Sequence, residues 1–330
     1  MLMKKIKMTR REFFGGSLGM GAVMATASLP AADVREDLSA FAQRGRWERL
    51  SIAFGEVEIG LERPFSVLHI SDTHLTAADA DVGVKKQALC RQRTLCFGGR
   101  QEEALRDSIA WAKEHCDCLV HTGDLIDWQS RANLARVRKY FGAGMAGCLG
   151  NHEFSPDMWL SEPKETPTEG FKDRSRRLLA AAYPFDVSLQ STVVNGVNFV
   201  TMDDVYGTVT PHQVERFALE VKKGLPIVLC LHVPLYTERI LRANAHFWNG
   251  ERPKFRREDV AGGWRAADYE RQRKDATTQA FLAALKAEPL LKAVLAGHLH
   301  VTVEDRFSPT AMQYVVGGNF MFHGRELLFF

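Results

Sequence analysis

The segment AVLAGHLHVTVED, residues 293–305, sets two histidines one residue apart just after an apolar run closed by glycine. Four other apolar runs end in polar groups of the same kind. SVLHIS leads to Asp72-Thr73-His74, CLVHTG to Asp124-Leu125-Ile126-Asp127, MAGCLG to Asn151-His152-Glu153, and PIVLCL to His232. Uncompensated carboxylates and imidazoles at the mouth of a core are costly, and divalent cations offset that cost while setting the protonation states. The donor set of Asp72, His74, Asp124, Asn151, His232, His298 and His300 holds carboxylate, amide and imidazole but no thiolate. Such a set suits Mn, Zn or Fe rather than a soft copper or iron–sulfur site. Seven candidates exceed the four ligands of an ordinary zinc site and suffice for two divalent metal ions sharing a carboxylate. Paired ions of this kind activate water and clamp a phosphoryl group. Singly, each motif is weak: Asp-x-His recurs by chance, and His232 alone fits a satisfied core histidine. All five in order, each after an apolar run, point to one site.

The elements that must position these groups follow from the pattern between them. WERLSIAFGEVEIGLERPFSVLHISD alternates and then becomes continuously apolar, as strands entering a core do. Residues 101–115 carry Leu105, Ile109 and Ala112 on one helical face, and 131–141 carry Leu134, Val137 and Phe141. Asn195-Gly196 inside TVVNGVNFVTMD predicts a two-residue hairpin. Thr210-Pro211-His212-Gln213 predicts a capped helix start, with the helix ending near Gly224 and feeding PIVLCL; a further helix near 276–287 feeds KAVLAG. Helices alternating with short buried runs imply an α/β core of parallel strands, and the tail from Thr302 to Phe330 adds strands that make the sheet mixed. Ligands in open α/β sheets bind beyond the carboxyl ends of the strands. In an extended segment residues two apart point to one side, so His298 and His300, and likewise Asp72 and His74, are expected to reach one cluster.

The chain has 330 residues, 45% hydrophobic and 25% charged, a composition compatible with a sizeable core. Its six cysteines form no C-x-x-C pair; Cys148 and Cys230 lie in apolar runs as small hydrophobes, and Cys90 and Cys96 flank an expected loop where they could pair under oxidising conditions. Residues 1–31 follow the grammar of an export signal: Lys4, Lys5, Lys7, Arg10 and Arg11 precede an uncharged stretch from Phe13 to Ala32 with small residues near its end. TRREFF resembles a twin-arginine signal, which implies a periplasmic or other extracytoplasmic destination. Left uncleaved, the leader would tether the protein to a membrane, although its glycines and Pro30 weaken a spanning helix. Without residues 1–31 the formal charge falls from +3 to −1, and no basic concentration signals nucleic acid. The remainder, 32–330, is expected as one domain with polar insertions at 155–176 and 236–275. The second insertion is basic and interleaved with Trp248, Phe255, Trp264 and Tyr269, as in a solvated loop or a rim over an anionic substrate.

SDTHL, GDLID, GNHE, LH and GHLH together resemble the motif series of the calcineurin-like metallophosphoesterases, over residues 64 to about 305 with no motif missing. The resemblance implies a four-layer α/β/β/α sandwich of two mixed sheets with a dimetal centre at one edge. It implies that Asp72, His74 and His300 hold one ion, Asn151, His232 and His298 the other, and that Asp124 bridges them. His152 matches the family histidine that protonates the leaving oxygen, and Asp127 and Glu153 fit supporting roles behind it. The physics is consistent: a hydroxide held between two cations is a nucleophile at neutral pH, and leaving-group protonation suits an imidazole oriented by a carboxylate. The expected substrate is a small phosphorylated molecule, monoester or diester. Two alternatives stay open: cleavage of a pyrophosphate bond in a nucleotide or lipid-linked substrate, and a metal-binding module without catalysis. Fold and motifs do not select the substrate, because selectivity lies in loops that spacing does not decode.

Overall fold

The structure is a computed structural model that describes residues 48–141, 145–155, 169–247, 272 and 275–330. The proposed export signal, most of the first polar insertion and the aromatic residues Trp248, Phe255, Trp264 and Tyr269 lie outside the described residues. Two mixed sheets form the body. The first has the order β1 (Ser51–Val57), β11 (His323–Phe329), β2 (Phe65–Ile70), β3 (Cys118–Thr122), β4 (Met145–Cys148). The second runs β5 (Leu189–Val194), β6 (Val197–Met202), β7 (Ile227–Cys230), β8 (Leu291–Ala296), β10 (Met312–Val315), β9 (Val303–Arg306). Strands β2, β3 and β4 are mutually parallel, as are β6, β7 and β8, while β11 runs antiparallel to β2.

Strand alternation explains the layering. In β6, Val197 and Phe199 face the first sheet, while Val200 and Met202 face the outer helices; in β7, Val228 and Cys230 turn inward, Ile227 and Leu229 outward. Both faces are therefore apolar, which is why these runs show no polar alternation in sequence. Between the sheets Phe65 stacks on Phe329 at 5.1 Å and meets Phe199 edge-on at 6.2 Å. Burying each such side chain contributes roughly 1.5–3 kcal/mol. Helices complete the outer layers. α2 (Gln101–His115) packs on β2 and β3 through Ala104, Leu105, Ser108, Trp111 and Ala112. On the second sheet α5 (Pro211–Val221) and α7 (Ala276–Ala287) meet where Phe217 contacts Phe281 edge-on at 5.3 Å. The four-layer α/β/β/α arrangement expected from the sequence is the one observed.

Local signals hold where the chain supplies its own hydrogen bonds. Asn195 and Gly196 both have positive φ, 48° and 81°, between strands paired at Val194 and Val197, as a two-residue hairpin requires. Thr210 accepts the Gln213 N–H and Gln213 accepts the Thr210 N–H, closing the capping box at the start of α5. Three differences stand out. The 76–100 region contains a helix, α1 (Val84–Cys96), that periodicity does not reveal because none of its residues is buried. Cys90 and Cys96 therefore do not flank a loop; they lie six residues apart on one helix, about 9 Å along its axis, too far to pair. Finally, the described parts of the two polar insertions carry helices, α4 (Glu169–Leu179) and α6 (Glu238–His246), whereas the helix expected over 131–141 is present as α3 (Arg131–Tyr140).

Candidate metal centre

β2 ends at Ile70, β3 at Thr122, β7 at Cys230 and β8 at Ala296; Asp72, Asp124, His232 and His298 each follow two residues later. Asn151 follows three residues after β4. Parallel pairing aligns these ends, so five strands from both sheets deliver donors to one edge. One expectation is corrected here. Asp72, His74, His298 and His300 were expected on extended backbone, but these four and Asp124 have φ between 51° and 68°, in the left-handed region. Asp and His adopt that region more readily than most residues, at a cost of about 1 kcal/mol each. The bent segments are held by one another: the N–H groups of Asp72 and His74 donate to the carbonyls of Gly123 and Asp124, both at 2.9 Å. The tail adds a second brace, with Asn319 N–H on Ser71 O at 2.8 Å and Thr73 Oγ1 donating to Asn319 Oδ1 at 3.1 Å.

The donors converge. Among the described residues three overlapping groups have ligand atoms within 4.8 Å of one another: Asp72, His74 and His300; Asp124, His232 and His298; and His74, Asp124 and His152. Nε2 of His74 and of His300 lie 3.2 Å apart, and His300 Nε2 is 3.4 Å from Asp72 Oδ1. On the other side His232 Nε2 is 3.4 Å from Asp124 Oδ2 and 3.2 Å from Asn151 Oδ1. Asp124 Oδ2 also lies 3.7 Å from His74 Nε2, so its carboxylate stands between the two sets.

This donor set fits a pair of divalent cations. Asp72 and Asp124 are buried, and Asp72 Oδ1 has no hydrogen-bond partner among the described residues although it faces imidazole nitrogens. Burial pushes both acids up, yet the surrounding imidazoles hold them well below the usual carboxylate range, His300 foremost for Asp72 and His232 for Asp124. Conversely, burial disfavours charge on His232, and Asp124 nevertheless raises it to about 10. The site draws in positive charge as protons, the role a bound cation takes over once the imidazoles are neutral ligands. Tautomers are set from behind: His232 Nδ1 is 2.7 Å from Thr122 O, which leaves Nε2 for the site.

Around these donors lie His152, Asp127 and Glu153, the three residues to which the resemblance gives supporting roles. His152 Nδ1 is 2.8 Å from Asp127 Oδ1, its N–H donates to Asp124 Oδ1 at 2.8 Å, and its Nε2 lies 3.9 Å from Asp124 Oδ2. Its side chain is 14% exposed, enough to meet a substrate. Burial opposes its protonation, but Asp124 and Asp127 raise it to about 9. Glu153 is fully buried and accepts the N–H groups of Asp124, Leu125, Ile126 and Gly150 together with the Tyr183 hydroxyl. Burial and Asp124 raise it to about 7 against those donors.

Close approach explains the glycines of these motifs. A Cβ on Gly150 would run into the Asp124 carboxylate, and one on Gly297 would strike the Ser71 hydroxyl and come within 2.6 Å of Asp72 Oδ2. Sequence reading missed four residues. Arg93 forks onto Asp127 with Nε and Nη2 both at 2.7 Å. Asp204 accepts the N–H groups of His232 and Val233 at 3.0 and 3.1 Å. Phe97 stacks on His74 at 4.3 Å, and Phe320 meets His300 edge-on at 5.1 Å. Asp204 had a signal: VNFVTM is a sixth apolar run ending in a carboxylate.

The family model described as calcineurin-like phosphoesterase matches residues 65–302. No curated protein matches the chain by sequence. Among solved structures, similarity extends to a dimetal phosphatase from Danio rerio, at 16% identity over 78% of this chain and 88% of that one, TM-score 0.45. A 5'-nucleotidase from Candida albicans is 12% identical over 82% of this chain and 47% of that one, TM-score 0.36. A predicted phosphoesterase from Streptococcus pneumoniae is 11% identical over 78% of this chain and 74% of that one, TM-score 0.25.

Proposed function

Because the chain belongs to the calcineurin-like phosphoesterase family, we propose that it is a dimetal-dependent hydrolase of phosphoric esters, monoester or diester, acting on a small phosphorylated substrate. The observation that carries this reading is the meeting of Asp124 with both ligand sets at one strand edge, beside a partly exposed histidine. Asp72, His74 and His300 would hold one ion, Asn151, His232 and His298 the other, with Asp124 shared. When bound, the cations supply Lewis-acid activation of water and neutralise charge on the phosphoryl oxygens. The chain's own residues do the rest. His152 holds a proton at Nε2, on the side of the ring toward Asp124 and away from Asp127, and delivers it to the leaving oxygen. Asp127 keeps the ring oriented by taking Nδ1. Glu153 acts on the backbone, fixing the turn that carries Asp124.

Elemental analysis of the full-length protein joined to a panel of aryl phosphate, phosphodiester and pyrophosphate substrates tests the proposal. Two ions per chain are expected, with inorganic phosphate released from a monoester or an alcohol released from a diester. Bound metal without turnover on the whole panel refutes it in favour of a binding module, and selective pyrophosphate cleavage moves it to the other substrate class.

The basic start and uncharged stretch of residues 1–31 support a second proposal, that the chain is exported through a route reading Arg10 and Arg11. Replacing both by lysine is expected to hold the protein in the cytosol; unchanged export in a cell-fractionation assay refutes it. Among the described residues no helix is long and apolar enough to cross a membrane.

A further inference from the structure

α1 buries none of its residues, yet its last turn reaches the centre of the site. Arg93 spans the gap: its Nε and Nη2 donate to the two oxygens of Asp127, each at 2.7 Å. The guanidinium also lies over the Phe97 ring, 4.9 Å from its centroid. Phe97 in turn stacks on His74 with only 5° between the planes, and His74 Nδ1 is 3.3 Å from Asp127 Oδ1. Four side chains, Asp127, Arg93, Phe97 and His74, thus close a ring, and His152 hangs from it through the 2.8 Å contact to the same Asp127 oxygen.

One oxygen that lies 2.8 Å from His152 Nδ1 and 3.3 Å from His74 Nδ1 keeps both distances only in a particular carboxylate plane. The terminal torsion of an aspartate is broad, so Asp127 does not fix that plane by itself. A planar guanidinium bonded to both oxygens does fix it, and a lysine ammonium, a point charge with rotatable donors, does not. Asp127 is fully buried, so no solvent competes for its oxygens.

We propose that Arg93 is a positioning residue for the reaction inferred above: it locks the Asp127 carboxylate in the plane that orients His152 toward the leaving group. The inference rests on the phosphoesterase reading. It makes α1, outside every motif, part of the catalytic apparatus, acting through Asp127 without touching substrate.

The test compares full-length R93M and R93K with H152A, using metal content, kcat and KM on esters of graded leaving-group acidity, and the His152 Nδ1–H proton resonance. Both Arg93 variants are expected to keep their metals and KM while kcat falls roughly 10-fold to 100-fold, a part of what general-acid catalysis supplies. The fall should be steep for alkyl phosphates and slight for nitrophenyl phosphate, with H152A showing the same dependence more strongly. The Nδ1–H resonance should move upfield in both, and Lys should not restore it. An unchanged kcat and resonance in R93M, or an equal loss on every ester accompanied by metal loss, overturns the proposal while H152A leaves the parent reading standing. Absence of ester cleavage by the metal-loaded wild type removes both.

Discussion

Glu153 reaches Asp124 through the backbone: Glu153 Oε2 accepts the Asp124 N–H at 2.9 Å, and Oε1 accepts those of Leu125 and Ile126 at 2.7 and 3.2 Å. A buried carboxylate here does the work of a turn. Glu153→Gln replaces one acceptor oxygen with an NH2 facing N–H donors, which costs about 1–3 kcal/mol for the group left unsatisfied. The expected outcome is a lower Tm and weaker metal retention with His152 still in place, measured by thermal melting and elemental analysis; an unchanged Tm removes this role.

Under the proposed function, substitutions at Asp124 and His152 should separate metal binding from proton delivery. Asp124→Ala is expected to lose metal and activity together, because its carboxylate stands between both ligand sets. His152→Ala is expected to keep two ions and lose about 10²–10⁴-fold in kcat. His152 also belongs to a third ligand group, with His74 and Asp124. Loss of an ion in His152→Ala would therefore make it a ligand, and intact turnover would end its assignment as the acid.

Proton inventory gives the cation-free protein a definite pH dependence. His152 and His232 titrate near 9 and 10 in the folded chain, above the 6.5 of an unfolded histidine, despite burial, because of Asp124 and its neighbouring acids. Their raised affinity for protons stabilises the fold fully below pH 6.5 and is lost as pH rises through about 9 to 10. In chelator, Tm is expected to fall across pH 7–10. With saturating Mn or Zn the fall should flatten, and titration at pH 8 should release protons as metal binds. A chelated protein whose Tm rises over that window contradicts the charge balance described for the site.

The motif glycines make a steric prediction. Gly150→Ala and Gly297→Ala place a methyl against the carboxylate of Asp124 and against Ser71 with Asp72, respectively. Overpacking of this kind costs about 1–3 kcal/mol. Both variants should melt lower and bind metal more weakly, whereas Gly60→Ala meets no atom within 4 Å and tests only the backbone effect of its φ of 77°. Equal metal affinity in wild type and Gly150→Ala would show that the turn can yield.

The convergence of these donors was legible because strands buried on both faces appear as uninterrupted apolar runs, and a polar residue ending such a run has to lie at the sheet edge. Ser71, Gly123, Gly150 and Gly297 marked those ends. The backbone shape at the ends was not legible: alternation predicts extended geometry, while hydrogen bonds between neighbouring loops hold Asp72, His74 and Asp124 left-handed. Arg93 left no trace for a related reason. α1 has no buried stripe, so periodicity is silent, and the partner of Arg93 lies 34 residues away. Pairings across such separations come from topology.

The position of β11 bears on when the protein becomes functional. The strand formed by His323–Phe329 lies between β1 and β2, and Asn319, just before it, clamps Ser71 and Thr73 beside the first ligands. The sheet bearing Asp72 and Asp124 therefore closes only after residues 319–329 have been made, so the cradle for ions forms once a segment far downstream of its donors has folded back between β1 and β2.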